Sequence, residues 1–174
     1  MTGKWRGEGL SMKPQDYSER ARYRPPASWY RRLNWLGVLI TSLGLGPRDA
    51  VTLEVRGRRT GKLRRIPILR TRHAGEDYLL ALAGESQWVR NVRAANGDAA
   101  IRHRKKRGVR LIEVPPEERP EIIAEYLRAG SERGGKEARD RQARYYFGLD
   151  AGYSLSDIRD VVDFYPVFRV VYST

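Results

Sequence analysis

The segment Val51-Thr52-Leu53-Glu54-Val55-Arg56 alternates apolar and polar residues without a break. This is the period of a half-buried strand, with Val51, Leu53 and Val55 inward and Thr52, Glu54 and Arg56 outward. A glycine-bracketed basic loop follows at once, and then a second apolar run over Ile66–Arg72 with Pro67 near its start, where a missing N–H is tolerable. Ala74-Gly75-Glu76-Asp77 reads as a turn, and Tyr78–Ala83, apolar on both faces, as a central strand. Connections this short cannot make parallel pairs, which need a crossover of about a dozen residues or more. The chain is therefore built on an antiparallel meander.

The loop itself, Gly57-Arg58-Arg59-Thr60-Gly61-Lys62-Leu63-Arg64-Arg65-Ile66-Pro67, places five cationic side chains within eight residues. Glycines let the backbone turn through positive φ, and exposed N–H groups beside Arg and Lys form a concave anion site. A solvated hairpin loop in a basic protein is the plainer reading. A nucleotide-binding P-loop is excluded, because only three residues separate the glycines and Leu63 stands where a magnesium-binding hydroxyl is required.

The 174 residues suit one domain, and the net charge of +13, from 34 basic against 21 acidic residues, favours an anionic partner. With no cysteine, disulfides, thiolate metal sites and a cysteine nucleophile are ruled out. His73 and His103 are 30 residues apart with no carboxylate pattern beside them, so no metal site is expected.

Residues 1–25 are polar and basic and read as a disordered arm, without the apolar core of a secretory signal. Residues 26–174 read as one domain. Within it, 26–46 is an amphipathic helix with the stripe Trp29, Leu33, Leu36, Ile40 and Leu43, stopped by Gly44-Leu45-Gly46-Pro47. It either packs across the domain or lies in a membrane interface. Ser86 is placed to cap a short helix carrying Trp88, Val89, Val92 and Ala95, and Trp88 and Asn91 share one face near its N-terminus, where a planar heterocycle could be held. A core Trp and a solvated Asn are the alternative. Ala99–Arg104 and Val109–Val114 form a hairpin around Lys105–Gly108. A helical insertion over 117–163 follows. Its first helix buries Ile122, Ile123, Tyr126 and Leu127 and stops at Gly130, Ser131–Arg144 is a mobile connector or a poorly buried helix, and Ser154–Asp157 forms a capping box. Tyr165–Tyr172 is a last strand, with Pro166 marking an edge or a first position.

G-R-R-T-G-K-x-R-R-x-P after a strand, then W-V-R-N-x-R-A-A-x-G about 20 residues later, resembles the deazaflavin-dependent nitroreductase family. The likeness implies an α+β, mainly β fold: an antiparallel split β-barrel of the FMN-binding type, six- to seven-stranded, with peripheral helices. It also implies coenzyme F420, an 8-hydroxy-5-deazaflavin with a phosphate and an oligoglutamate tail, or less readily FMN. The resemblance assigns Arg58, Arg59, Thr60, Lys62, Arg64 and Arg65 to the phosphate and tail, Pro67, Ala83 and Gly84 to the deazaflavin ring, and Trp88 and Asn91 to closing the site. The loop Gly84-Glu85-Ser86-Gln87 is shorter than in many members, and Glu85 opposes an anionic coenzyme.

The implied activity is hydride transfer to a small-molecule quinone-, nitroaromatic- or enone-type acceptor, in a cytoplasmic protein that attaches to membranes through residues 26–46 or forms a homodimer. No motif assigns a catalytic residue. Tyr145, Tyr146 and Tyr172 are pocket donors only by residue type. A non-catalytic binder of a lipid or heterocycle is the rival, followed by an anionic-membrane or nucleic-acid binder. Nucleic acid is not expected, because the aromatics are not interleaved with the cations as single-strand platforms require.

Overall fold

This computed structural model describes residues 28–45 and 47–173, without the side chains of 28–34. The arm expected over 1–25 lies outside the described residues, as do the side chains of Trp29 and Leu33. Six strands, β1 (Ala50–Arg56), β2 (Leu63–His73), β3 (Glu76–Leu80), β4 (Asp98–His103), β5 (Lys105–Glu113) and β6 (Val167–Tyr172), close an antiparallel barrel in the order β1-β2-β3-β6-β5-β4. Helix α1 (Ser28–Leu43) precedes the barrel, and α2 (Gln87–Ala94) joins β3 to β4. Between β5 and β6 come α3 (Arg119–Gln142), a π-helical turn (Ala143–Phe147) and α4 (Leu155–Arg159).

The meander is as the sequence implies. β2 and β3 meet across Ala74 and Gly75, both at positive φ (48° and 83°), the two-residue turn whose twist suits a hairpin. The barrel interior gathers Val51, Leu53, Val55, Leu79, Ile101, Leu111 and Phe168, and α2 adds Trp88, Val89 and Val92 to it. A second core lies outside the barrel, where Tyr78, Leu80 and Val167 meet Ile122, Ile123, Tyr126 and Leu127 of α3 together with Phe147 and Ile158.

Several expectations are corrected. Thr52 and Glu54 are 0% and 2% exposed, not outward to solvent, because α1 and neighbouring cations cover that face of β1. β2 begins at Leu63, so Pro67 sits mid-strand, opposite Thr52. It is tolerated because residues 63–69 pair only with β1, while β3 is met from Arg70 onward. β3 ends at Leu80 rather than Ala83. The β4–β5 turn is made by Arg104 alone (φ 63°), and Lys105–Gly108 belong to β5; the Arg104 N–H donates to the Ser42 carbonyl (3.0 Å) at the end of α1. Gly130 does not stop α3. The Arg128–Glu132 ion pair spans it, and the helix breaks instead at Gly135, with φ 79°. Pro166 precedes β6, which is no edge, since it pairs with both β3 and β5.

On α1, the expected stripe residues Leu36, Ile40 and Leu43 are 39%, 38% and 53% exposed, and the packed face is Gly37, Val38 and Thr41. The reason lies on the barrel. The surface under α1 offers hydroxyls and Pro67 rather than an apolar seam, and a Cβ on Gly37 would stand only 3.1 Å from Pro67 Cγ.

Candidate functional site

The basic loop is closed on itself before any ligand is considered. The Gly57 N–H donates to the Lys62 carbonyl (2.9 Å), the Gly61 N–H to the Gly57 carbonyl (2.8 Å), and the Arg56 guanidinium to the Gly61 carbonyl (3.3 Å). Gly61 sits at φ 65°, where a side chain would be strained. Arg58 docks the loop on α2: its N–H and Nη1 donate to Asn91 Oδ1 (3.2 and 3.0 Å), and Nη1 also donates to Gln87 Oε1 (2.9 Å). Asn91 is thus buried and bonded. Trp88 is in the core, its ring 5.4 Å from that of Phe168. Arg59, Thr60, Lys62 and Arg64 stay exposed, and the three cations have no acidic partner among the described residues.

Ala83 and Gly84 form the turn leading into α2, the Gly84 N–H donating to the Ala81 carbonyl at 2.8 Å. Ser86 takes the N-cap position in extended conformation but makes no capping bond, contrary to its expected role; its buried Oγ has no partner. Glu85 is paired with Arg93, which bonds it at 2.7 Å and grips Glu113 with two further bonds of 2.7 Å. Glu113 foremost, with Glu85 beside it, holds the Arg93 guanidinium well above its usual range against the opposing effect of burial. The repulsion expected from Glu85 is therefore largely cancelled.

Consecutive residues of β2 serve different surfaces. Arg64 lies beside the loop, its Nε 3.4 Å from where a Gly57 Cβ would be. Arg65, opposite Glu54 in the ladder, turns under α1. There Glu54 Oε1 accepts from Arg65 Nε (3.2 Å) and Arg102 Nε (3.1 Å), and Oε2 meets Lys106 Nζ at 3.1 Å as an ion contact. Burial pushes the Glu54 carboxyl up, but Lys106, Arg102 and Arg65 together hold it below its ordinary value. Thr52 joins the same face, bonded to the hydroxyls of Thr41 (2.6 Å) and Ser42 (2.9 Å). Beside this cluster is an open cleft of about 440 Å³ lined by Trp35, Val38, Leu39, Ser42, Arg65 and Arg102.

Among the tyrosines, Tyr172 donates to Asp77 Oδ2 (2.9 Å) and accepts from Arg70 Nη1 (3.1 Å), with Arg107 stacked 4.4 Å over its ring. Burial first, then Asp77 against Arg70, keeps its phenol above the usual range. Tyr145 is exposed, and the Tyr146 carbonyl accepts the Tyr165 hydroxyl. His73 lies 3.9 Å from Glu121, and His103 Nδ1 lies 3.2 Å from the Ala50 carbonyl. Glu54, Arg102, Lys106 and Arg93 are not among the site residues expected from the sequence. Glu54 meets Arg65, Arg102 and Lys106 at once, and only the three-dimensional pairing reveals this.

A family model described as F420H(2)-dependent quinone reductase matches residues 22–133. No curated protein matches the chain. Among solved structures, an F420-H2 dependent reductase is 22% identical, covering 71% of this chain and 94% of its own, with a TM-score of 0.42. The ChuZ protein of Campylobacter jejuni is 13% identical over 86% of this chain and 55% of its own, with a TM-score of 0.42. A FAD-binding protein of Mesorhizobium loti is 12% identical over 80% and 89%, with a TM-score of 0.39.

Proposed function

The chain belongs to the F420H(2)-dependent quinone reductase family, oxidoreductases that use coenzyme F420, and on that premise we propose that the loop Gly57–Arg64 and the strand edge beside it form the coenzyme site. The observation that carries this reading is the set Arg59, Lys62 and Arg64, exposed at a preformed loop with no acidic partner among the described residues. Such a set fits a phosphate and the carboxylates of a glutamate tail. Two further observations support the fit: the edge of β2 left unpaired over residues 63–69, and the orphaned Ser86 Oγ at the start of α2.

Arg59, Thr60, Lys62 and Arg64 bind the anionic part, and Arg58, fixed by Asn91 and Gln87, keeps the loop in place for it. Pro67, Ala83 and Gly84 line the ring. Trp88 and Asn91 hold the wall from behind, since both are occupied within the protein. Arg65 acts with Glu54 on the α1 side. The coenzyme, when bound in its reduced form, supplies a hydride from C5. The protein supplies orientation and a fixed field around the acceptor.

The outward apolar residues of α1, Trp35, Leu36, Leu39, Ile40 and Leu43, lie on the helix whose end meets the cationic turn residue Arg104, a combination that supports peripheral attachment to an anionic membrane holding lipid quinones. No helix among the described residues is long and apolar enough to cross a membrane. Burial against a second copy, in a homodimer, is the other use of that face; co-sedimentation with vesicles and the solution mass separate the two.

The coenzyme reading is tested by titrating the protein with oxidised coenzyme F420 and with FMN, following tryptophan quenching. Saturable binding of the deazaflavin alone is expected, weakened about ten-fold or more by Arg59→Ala, roughly the 1.4 kcal/mol of one good charged contact. The exposed Arg90 of α2 is the control and its alanine variant leaves affinity unchanged. Preference for FMN, or indifference to Arg59, would remove the coenzyme from this loop.

A further inference from the structure

The cleft beside α1 combines two walls of opposite character. Trp35, Val38 and Leu39 of α1 form an apolar wall, with Trp35 and Leu39 66% and 47% exposed. The barrel side presents Arg65 and Arg102, each drawn into place by the nearly fully buried Glu54. With Lys106 the group has three cations against one carboxylate, an excess of positive charge beneath a planar apolar surface. A neutral core cleft needs no such charge, and a purely electrostatic patch needs no tryptophan.

We propose that this cleft seats the electron acceptor, a quinone. In this seat Trp35 and Leu39 hold the ring, and Arg65 and Arg102 stabilise the negative charge the quinone acquires on reduction. The proposal rests on the coenzyme reading above. It adds to it the acceptor's place and the residues that serve it. The link between the two sites is β2. Pro67, assigned to the ring edge, lies two residues beyond Arg65 on the same face of the strand, is half-buried, and is approached from one side by Gly37 of α1.

The chemistry requires such a group. A quinone that accepts a hydride, two electrons and one proton, becomes a hydroquinone monoanion, and a second proton from water then gives the neutral hydroquinone. Donors already aimed at the oxygen where that charge develops lower the barrier without reorganising. Glu54 is a positioning residue. Its charge keeps both guanidinium groups over the cleft instead of extended into solvent.

The test measures binding without the coenzyme. Two probes are used, 2-hydroxy-1,4-naphthoquinone, which is ionised at neutral pH and mimics the anion, and neutral 1,4-naphthoquinone, both followed by tryptophan quenching. The expected result is tighter binding of the ionised probe. Arg102→Gln should weaken that binding about ten-fold while changing the neutral probe much less, and Trp35→Ala should weaken both. Glu54→Gln should lower affinity for the ionised probe alone, and circular dichroism of each variant verifies the fold. Equal affinity for the two probes, or binding untouched by Arg102→Gln and Trp35→Ala, would overturn the proposal. Titration of the same proteins with coenzyme F420 keeps the two readings apart. A protein that binds the coenzyme and neither quinone refutes the cleft alone, whereas one that binds the quinones but not the coenzyme refutes the coenzyme reading and with it the acceptor role.

Discussion

Two long helices cover the barrel from outside, and they do so by different physics. α3 lays Ile122, Ile123, Tyr126 and Leu127 on Tyr78, Leu80 and Val167, and Phe147 closes the seam with no exposed surface. α1 lies over β1, β2 and β4, touching them through Gly37, Val38 and Thr41, with Thr52 bonded to two of its hydroxyls, and turns Trp35, Leu36, Leu39, Ile40 and Leu43 outward. Burying one large apolar side chain stabilises by about 1.5–3 kcal/mol, while a hydrogen bond nets about 0.5–1.5 kcal/mol. α3 is therefore part of the folding core. α1 is held by specific but modest contacts, on the face where a cleft and four charges are gathered.

The sharpest way to break this contrast is to cut both attachments. Phe147→Ala should lose about 3–5 kcal/mol of unfolding free energy in urea, because its site is enclosed by Tyr126 and Tyr165 and cannot collapse easily. Thr52→Val leaves the hydroxyls of Thr41 and Ser42 short of a partner and should cost about 1–2 kcal/mol; pairing it with Thr41→Val should recover part of the loss. A larger effect at Thr52 than at Phe147 would invert the comparison.

Acid separates the two regions further. The folded Glu54 carboxyl lies below its ordinary 4.5, so its stabilisation is present above pH 4.5 and is lost as pH falls through the folded value. Wild-type stability should drop more steeply than that of Glu54→Gln in this acid window, and parallel curves would mean that the three cations contribute nothing net. Smallest of all, Trp35→Ser should change unfolding free energy by no more than about 0.5 kcal/mol, since most of its surface is already in water. The same variant should clearly lose affinity for anionic vesicles, which co-sedimentation reads.

What the sequence made legible was local. The alternation of β1, the hairpins around it and the capping box at Ser154, where the Asp157 N–H meets Ser154 Oγ at 3.3 Å and Asp157 Oδ2 accepts the Ser154 N–H at 2.7 Å, each depend on residues a few positions apart. The basic loop was legible for the same reason. Its docking through Arg58 on Asn91, 33 positions away, was not, and neither was the bond from Arg102 to Glu54 across 48. Helix α1 misled because periodicity shows that a helix has an apolar face but not which surface that face meets. Here the barrel offered hydroxyls, and the small residues went inward. Gly130 misled because one glycine costs a helix only about 1 kcal/mol, which neighbouring packing and ion pairs can offset.

The alternation of β2 also bears on how a chain of this kind can change over time. Arg64 and Arg65 are neighbours that attend to opposite sides of the sheet, and Pro67 repeats the orientation of Arg65. Single replacements there can be absorbed one surface at a time. A one-residue deletion between Lys62 and Pro67 would instead exchange the two sets together, sending the loop's cation beneath α1 and Glu54's partner toward the loop. The strand between the tips Arg58–Gly61 and Ala74–Gly75 therefore cannot change its count of residues without exchanging the two surfaces it serves.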